Sequence, residues 1–288
     1  MSLPPIDYER PKCLHDAFSL LEEMGIPMAG GTDVIIQLRE SYLKGDFSPR
    51  LVVDLKDLDE LSGIEEQGEH ILIGAITRLS DLIESDLILN HAPSISEAAS
   101  RMGSIQIRNK GTIGGNICNA APCADSLPPL LIHDAVLILA SKEGTREVDL
   151  ENFLRGPGRT DRKPGEILVG VKVKKRDEGG EFFIKLARRD ALNKARMNFA
   201  AWLNLRDGKI IDACFAAGAI APHPIRVKEV EELLFGEEPS EALFARAGRI
   251  VRDKMLQITG RRWSTPYKSP VVENLTARVL SEAARRAR

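Results

Sequence analysis

Cysteine is scarce in this sequence. Only four are present in 288 residues, Cys13, Cys118, Cys123 and Cys214, and no C-x-x-C occurs. A four-thiolate iron–sulfur cluster needs convergent ligands, and this scatter argues against one; small buried side chains are the better reading. Five histidines without an H-x-x-x-H pair give no zinc signature, so no metal site is expected. An excess of charge is also lacking. Lys plus Arg number 40 against 42 Asp plus Glu, a net charge of −2, which gives no support for binding nucleic acid or a membrane surface through bulk charge. Long apolar runs are absent. The longest, "LPPLLIHDAVLILA", is broken by Pro128, Pro129, His133 and Asp134, too interrupted to span a bilayer. The start, "MSLPPIDYERPKC", lacks the apolar core of a secretory signal. A cytoplasmic protein with no membrane span is expected. The fingerprints G-x-G-x-x-G and G-x-x-x-x-G-K-[ST] are missing as well, so a dinucleotide bound here would not sit on a Rossmann domain.

What is present is a sizeable apolar fraction, 43%, enough to core one large domain or two ordinary ones. Two Gly-Gly pairs stand out, in "MAGGTDV" at 28–34 and "GTIGGN" at 111–116. In the second, Thr112 and Ile113 favour an extended chain. Gly114 and Gly115 then permit a sharp turn whose N–H groups converge as an anion-binding nest. A plain tight turn is the bland alternative. Two such loops, each with hydrogen-bonding neighbours, could close on opposite sides of one diphosphate.

Periodicity places the elements around these loops. Leu14, Phe18, Leu21 and Met24 share a helical face that Gly25 ends. "VIIQLRES" predicts a helix opening at the first Gly-Gly loop, whose positive end would reinforce an anion site. "RLVVDL", "HILIGA", "AVLILAS" and "EILVGVKV" read as strands, and "TRLSDLIES" as a short helix. Ser94 with Glu97 predicts a capping box, with Gly103 closing that helix. The charged, Gly-rich "KKRDEGG" at 174–180 predicts a boundary, dividing the chain into 1–176 and 177–288. Beyond it, strands joined by a hairpin at Asp207-Gly208 precede three helical segments. In the last helix Val272, Leu275, Val279 and Ala283 share one face.

"AGGTD" at 29–33, "TIGGNICNAAPCADS" at 112–126 and "EILVGVKV" at 166–173, in this order, resemble the FAD-binding (medium) subunit of the molybdenum hydroxylases, the xanthine dehydrogenase and carbon monoxide dehydrogenase type. The resemblance covers essentially the whole chain. It implies an α+β fold: a two-lobed FAD-binding domain of the vanillyl-alcohol-oxidase-like type, then a small C-terminal domain with an antiparallel sheet and helices. It implies that Met28, Ala29, Gly30, Gly31, Thr32, Asp33 and Val34 in one loop, with Thr112, Ile113, Gly114, Gly115 and Asn116 in the other, wrap the FAD diphosphate. Asp125 would accept hydrogen bonds from sugar or ribityl hydroxyls, Leu168 would touch the flavin or adenine, and Lys185 would approach the isoalloxazine. No general acid or base is implied.

The implied partners are a [2Fe–2S] subunit and a molybdopterin-binding subunit, with NAD+ or a quinone as external acceptor. Two departures stand out. The Cys-rich insertion of some relatives is missing, and "DALNKARMN" at 190–198 has no aromatic to cover the flavin ring. The alternative is a self-contained FAD-dependent oxidoreductase of the same superfamily.

Overall fold

The computed structural model describes residues 3–48, 50–189 and 192–287. Its first layer is a three-stranded parallel sheet. Strands Ile6–Glu9 and Ile26–Met28 flank the central Arg50–Asp54. Parallel strands need crossover connections, and helices Leu14–Glu22 and Val34–Leu43 supply them. Phe18 and Leu21 pack against Val53, Leu55 and Leu58 as expected. Met24 does not join them. The helix stops at Glu22, and Met24 takes a left-handed conformation (φ 65°) that leaves it 87% exposed.

The second lobe is an antiparallel sheet of five strands in the order Ile64–Gln67, His70–Gly74, Ile167–Lys174, Val136–Ser141, Gly144–Asp149. The central strand, Ile167–Lys174, alternates toward two apolar layers and is mostly buried. A bulge falls between Leu168 and Gly170 where this strand pairs with Val136–Ser141; bulges bend a strand and re-aim its side chains. Helices Leu79–Glu84, Pro93–Ser100, Ile113–Asn119 and Leu127–Ile132 cover the sheet, contributing Leu82, Ile95, Ile117 and Leu130 to its core.

The helix Pro93–Ser100 begins differently from the sequence reading. Pro93 occupies its first turn, where a missing N–H costs nothing. The Ser94 hydroxyl does not cap the helix but donates to buried Glu181 Oε2 (2.5 Å). Glu97 likewise leaves the helix end, accepting the Phe183 N–H and pairing with Arg286 (2.7 Å).

The third sheet has the order Gly180–Leu186, Met197–Arg206, Lys209–Gly218, Ile225–Arg226, antiparallel throughout. Asp207 and Gly208 both have positive φ (52° and 76°), the turn that matches strand twist. Helices Lys228–Leu234, Glu241–Thr259 and Thr265–Arg286 back one face, and Val272, Val279 and Ala283 are fully buried there. The other face, through Ala200, Trp202, Cys214 and Ala216, packs into the core of the second lobe. A polar joint ties the units as well. His133 bridges the Lys174 carbonyl and Glu181 Oε2, both at 2.8 Å. Among the described residues no helix is long and apolar enough to cross a membrane.

Candidate functional site

A cavity of about 600 Å³ opens between the two lobes, at the C-terminal ends of the parallel strands. Chains leaving that edge of an open α/β sheet commonly form ligand sites. Strand Ile26–Met28 ends here and runs into the first glycine loop; Met28, Ala29, Gly30, Gly31, Thr32, Asp33 and Val34 all line the cavity. Gly31 has φ +70°, which a residue with a Cβ rarely adopts. Gly30 is required for a different reason. A Cβ there would sit 2.0 Å from the carbonyl oxygen of Lys110, so the two glycine segments press backbone to backbone. Among the described residues no protein acceptor takes the N–H groups of Gly30, Gly31, Thr32 and Asp33. The helix Val34–Leu43 starts at Asp33, whose side chain makes no capping bond. Four free donors and a helix N-terminus therefore share one wall.

The second glycine segment is built otherwise. Thr112 is extended, as its β-branching predicts, but it is the N-cap of the helix Ile113–Asn119. Gly114 and Gly115 thus lie in a first helical turn, not in a sharp turn or nest, and neither has positive φ. Their N–H groups are engaged: Ile113 donates to Thr77 O (3.0 Å), Gly114 to Ala75 O (2.8 Å) and Gly115 to Thr112 Oγ1 (3.1 Å). Gly114 is small because a Cβ would meet the Ala75 carbonyl at 2.6 Å. Gly115 is exposed on the cavity wall, and a Cβ there would meet only Thr112 Oγ1. What this wall offers a ligand is side chains. Among the described residues the Thr112 hydroxyl donates to no acceptor, and the Asn116 amide carbonyl accepts from Ser126 (2.6 Å), leaving its NH2 to donate. Gln37 and Asn119 clasp the two helices together at 2.8 Å.

Two residues singled out from the sequence stand behind the cavity. Ile113 is wholly buried in the core of the second lobe. Lys185 does not line the cavity; its Nζ binds Asp125 Oδ2 (2.6 Å) and the Arg101 carbonyl (2.8 Å). Asp125 does line it, 5% exposed. Burial raises the Asp125 pKa, while Lys185 and Asn198 hold it down, and burial prevails. Leu168 lines the cavity beside the bulge.

The matches to known proteins cover nearly the whole chain. Residues 4–174 match the family described as "FAD binding domain in molybdopterin dehydrogenase". The chain belongs to the FAD-binding subunits of the molybdenum hydroxylases. Residues 182–283 match the "CO dehydrogenase flavoprotein C-terminal domain". The chain is 34% identical to the xanthine dehydrogenase FAD-binding subunit of Escherichia coli O157:H7, covering 96% of this chain and 95% of that protein. It is 31% identical to the glyceraldehyde dehydrogenase medium chain of Sulfolobus acidocaldarius, covering 98% and 99%. Among solved structures, a chain of reconstituted CO dehydrogenase from Oligotropha carboxidovorans superimposes with a TM-score of 0.91, at 28% identity and full coverage of both chains. These relatives are dehydrogenase subunits, and this flavin subunit is an oxidoreductase component of the same kind.

The cavity of this flavin subunit also contains residues that the sequence did not single out. Arg162 reaches it while donating to the Glu166 carbonyl (2.8 Å), and Lys194 lies at its edge. Glu166, also in the lining, is held below its ordinary pKa chiefly by hydrogen bonds from Arg146. Asn198 is fully buried and donates to Asp125 Oδ1 (2.8 Å); its own Oδ1 is buried without a partner. A lone amide inside the apolar strand "MNFAAWL" was the available signal. Cys118 and Cys123 line the cavity as free thiols, and burial pushes Cys118 up to about 11. Leu192, Asn193 and Lys194 form the edge where the sequence shows no aromatic; Asp190 and Ala191 of that segment lie outside the described residues.

Proposed function

We propose that this cavity holds FAD and that the chain is the electron-transfer subunit of a multi-subunit molybdenum hydroxylase. One observation carries the reading: Gly30, Gly31, Thr32 and Asp33, whose N–H groups have no protein acceptor among the described residues, line a cavity of about 600 Å³ at the start of a helix. That donor set fits a diphosphate, since each N–H to a charged oxygen is worth about 1.5–3 kcal/mol. When bound, FAD supplies the redox chemistry, taking electrons from [2Fe–2S] clusters on a partner chain and delivering them to an acceptor such as NAD+ or a quinone.

The chain's own residues bind and orient. Gly30 to Asp33 grip the phosphates through their N–H groups, with Thr32, Thr112 and Asn116 adding side-chain donors. Gly115 leaves room in the cavity lining. Asp125 accepts from ribityl or sugar hydroxyls, and Leu168 packs against a ring. Lys185 acts at one remove, fixing the Asp125 carboxylate. The proposed division into 1–176 and 177–288 makes this pair an inter-domain contact. The assembly, with its molybdopterin-binding and [2Fe–2S] chains, is proposed to work in the cytoplasm. Reconstitution tests the reading. Substrate-reduced molybdenum and iron–sulfur chains should bleach the flavin of the added subunit. Substrate-dependent bleaching of the isolated chain would instead support the self-contained enzyme.

A further inference from the structure

Beside the cavity edge the surface carries cations that form no ion pair among the described residues. Arg196, Arg261 and Arg262 are exposed and Lys268 half-buried. The contacts they make are not to carboxylates. Arg262 Nε donates to the Thr259 carbonyl (3.3 Å), Lys268 Nζ to the Ala219 carbonyl (3.1 Å), and Arg196 sits 5.9 Å from the centre of the Tyr267 ring. Several basic side chains elsewhere are paired, Arg146 with Glu166, Arg226 with Glu231 and Arg252 with Glu273. Here burial, Arg262 and Arg196 together push the Lys268 pKa below its ordinary value. Like charges gathered this way are a cost to the isolated chain.

Next to Arg262 in the chain stands Trp263. It lies in the short connection between helices Glu241–Thr259 and Thr265–Arg286 and is 95% exposed, with Tyr267 48% exposed close by. A projecting indole is a poor wall for a small molecule, whose sites are concave. It suits insertion into another protein. Trp, Tyr and Arg are the residues that dominate interface energetics. The location is specific too. Lys268 binds the Ala219 carbonyl, Ala219 donates to the Pro122 carbonyl (2.8 Å), and the next residue, Cys123, lines the cavity. Two residues before Arg196, Lys194 lines it as well.

We propose that Trp263 and Tyr267, together with Arg196, Arg262 and Lys268, form the docking surface for an acidic face of the electron-donating protein partner. The proposal rests on the flavin-subunit reading and adds to it the face that the partner meets. The cations steer the encounter and set its salt dependence; the indole supplies the desolvated anchor. A partner seated here lies against the cavity edge formed by Leu192 and Lys194.

The test uses the FAD-loaded full chain and the [2Fe–2S] chain from the same source, with the dissociation constant measured by sedimentation across a salt series. The double variant Arg262→Glu/Lys268→Glu is expected to weaken association about tenfold or more at low salt and to flatten the salt dependence. Trp263→Ala is expected to weaken it about tenfold with the salt slope unchanged. Lys209→Glu, at the far end of the strand Lys209–Gly218 and about 30 Å away, should have no effect. Flavin content reports the fold of each variant. Wild-type association that the patch variants leave intact overturns the docking surface while sparing the flavin reading. Absence of association by the flavin-loaded wild type overturns both. Patch variants that change only self-association of the chain also overturn the proposal.

Discussion

Lys185 Nζ lies 2.6 Å from Asp125 Oδ2, and both side chains are only 6% exposed. The lysine comes from the first strand of the third sheet, the aspartate from the cavity wall. Asn198 occupies the other carboxylate oxygen, so the C-terminal sheet fixes a cavity group from behind. Lys185→Met leaves a buried, unpaired carboxylate, and losing one partner of a buried pair costs about 3–5 kcal/mol. The sign of its pH dependence follows. Burial already raises the Asp125 pKa above the ordinary 3.8, and losing the cation raises it further. A carboxyl with a raised folded pKa favours the folded state at low pH and loses that contribution as pH rises. The stability deficit of the variant should therefore shrink as pH falls toward 4 and widen toward neutrality, as thermal melts at several pH values would read. A deficit independent of pH would contradict this account.

The glycines separate by role. Gly30→Ala forces a Cβ against the Lys110 carbonyl, and Gly114→Ala one against that of Ala75. Both should lower stability by about 1–3 kcal/mol, the usual cost of overpacking. Gly115→Val should keep the fold, losing about 1 kcal/mol as Thr112 gives up its cap, yet weaken FAD binding by tenfold or more. Denaturant melts beside flavin titrations distinguish the two classes. An unchanged flavin affinity in Gly115→Val would remove this wall from the site.

Arg146 holds the loop that contributes Arg162 and Glu166 to the cavity. It binds Glu166 Oε1 at 2.6 Å and Asp161 Oδ2 at 3.0 Å. Both carboxylates are depressed, Glu166 chiefly through Arg146 and Asp161 through Arg155 and then Arg146. A depressed carboxylate stabilises the fold above its unfolded pKa, 4.5 for Glu166, and that stability is lost as pH falls through the folded value. Wild type should therefore outlast Arg146→Gln at pH 7 and lose its advantage below about pH 4.5. A constant gap in melting temperature would argue that Arg146 acts by packing alone.

Thiol chemistry is expected to bypass Cys118 and Cys214. Cys118 is pushed up to about 11 and Cys214 to about 12 by burial, which leaves little thiolate near neutrality. Alkylation at pH 8 should mark exposed Cys13 and spare both. Rapid labelling of Cys118 would overturn the buried-thiol reading.

The sequence made some of this visible and hid the rest for physical reasons. Asp207-Gly208 announced its hairpin because few dipeptides tolerate two positive φ values. The parallel sheet was invisible. Its outer strands, "IDYE" and "IPM", are too short for alternation to register, and one contains a proline. The glycine loops were legible as places of close approach, but not their asymmetry. Which N–H groups are spent depends on Ala75 and Thr77, whose approach is tertiary. Ser94 and Glu97 had the spacing of a capping box, yet Pro93 starts the helix and Glu181 claims the serine. The family resemblance pointed to Lys185 as a flavin neighbour; that it turns to Asp125 instead of lining the cavity is set by packing between units.

The central claim is that the free N–H groups of Gly30 to Asp33 grip a diphosphate. Calorimetric titration of the deflavinated chain with FAD and with FMN, under identical buffer and salt, tests it most directly. Two or more hydrogen bonds to charged phosphate oxygens should make FAD bind at least about 100-fold more tightly than FMN. Equal affinities, or tighter binding of FMN, would contradict the account.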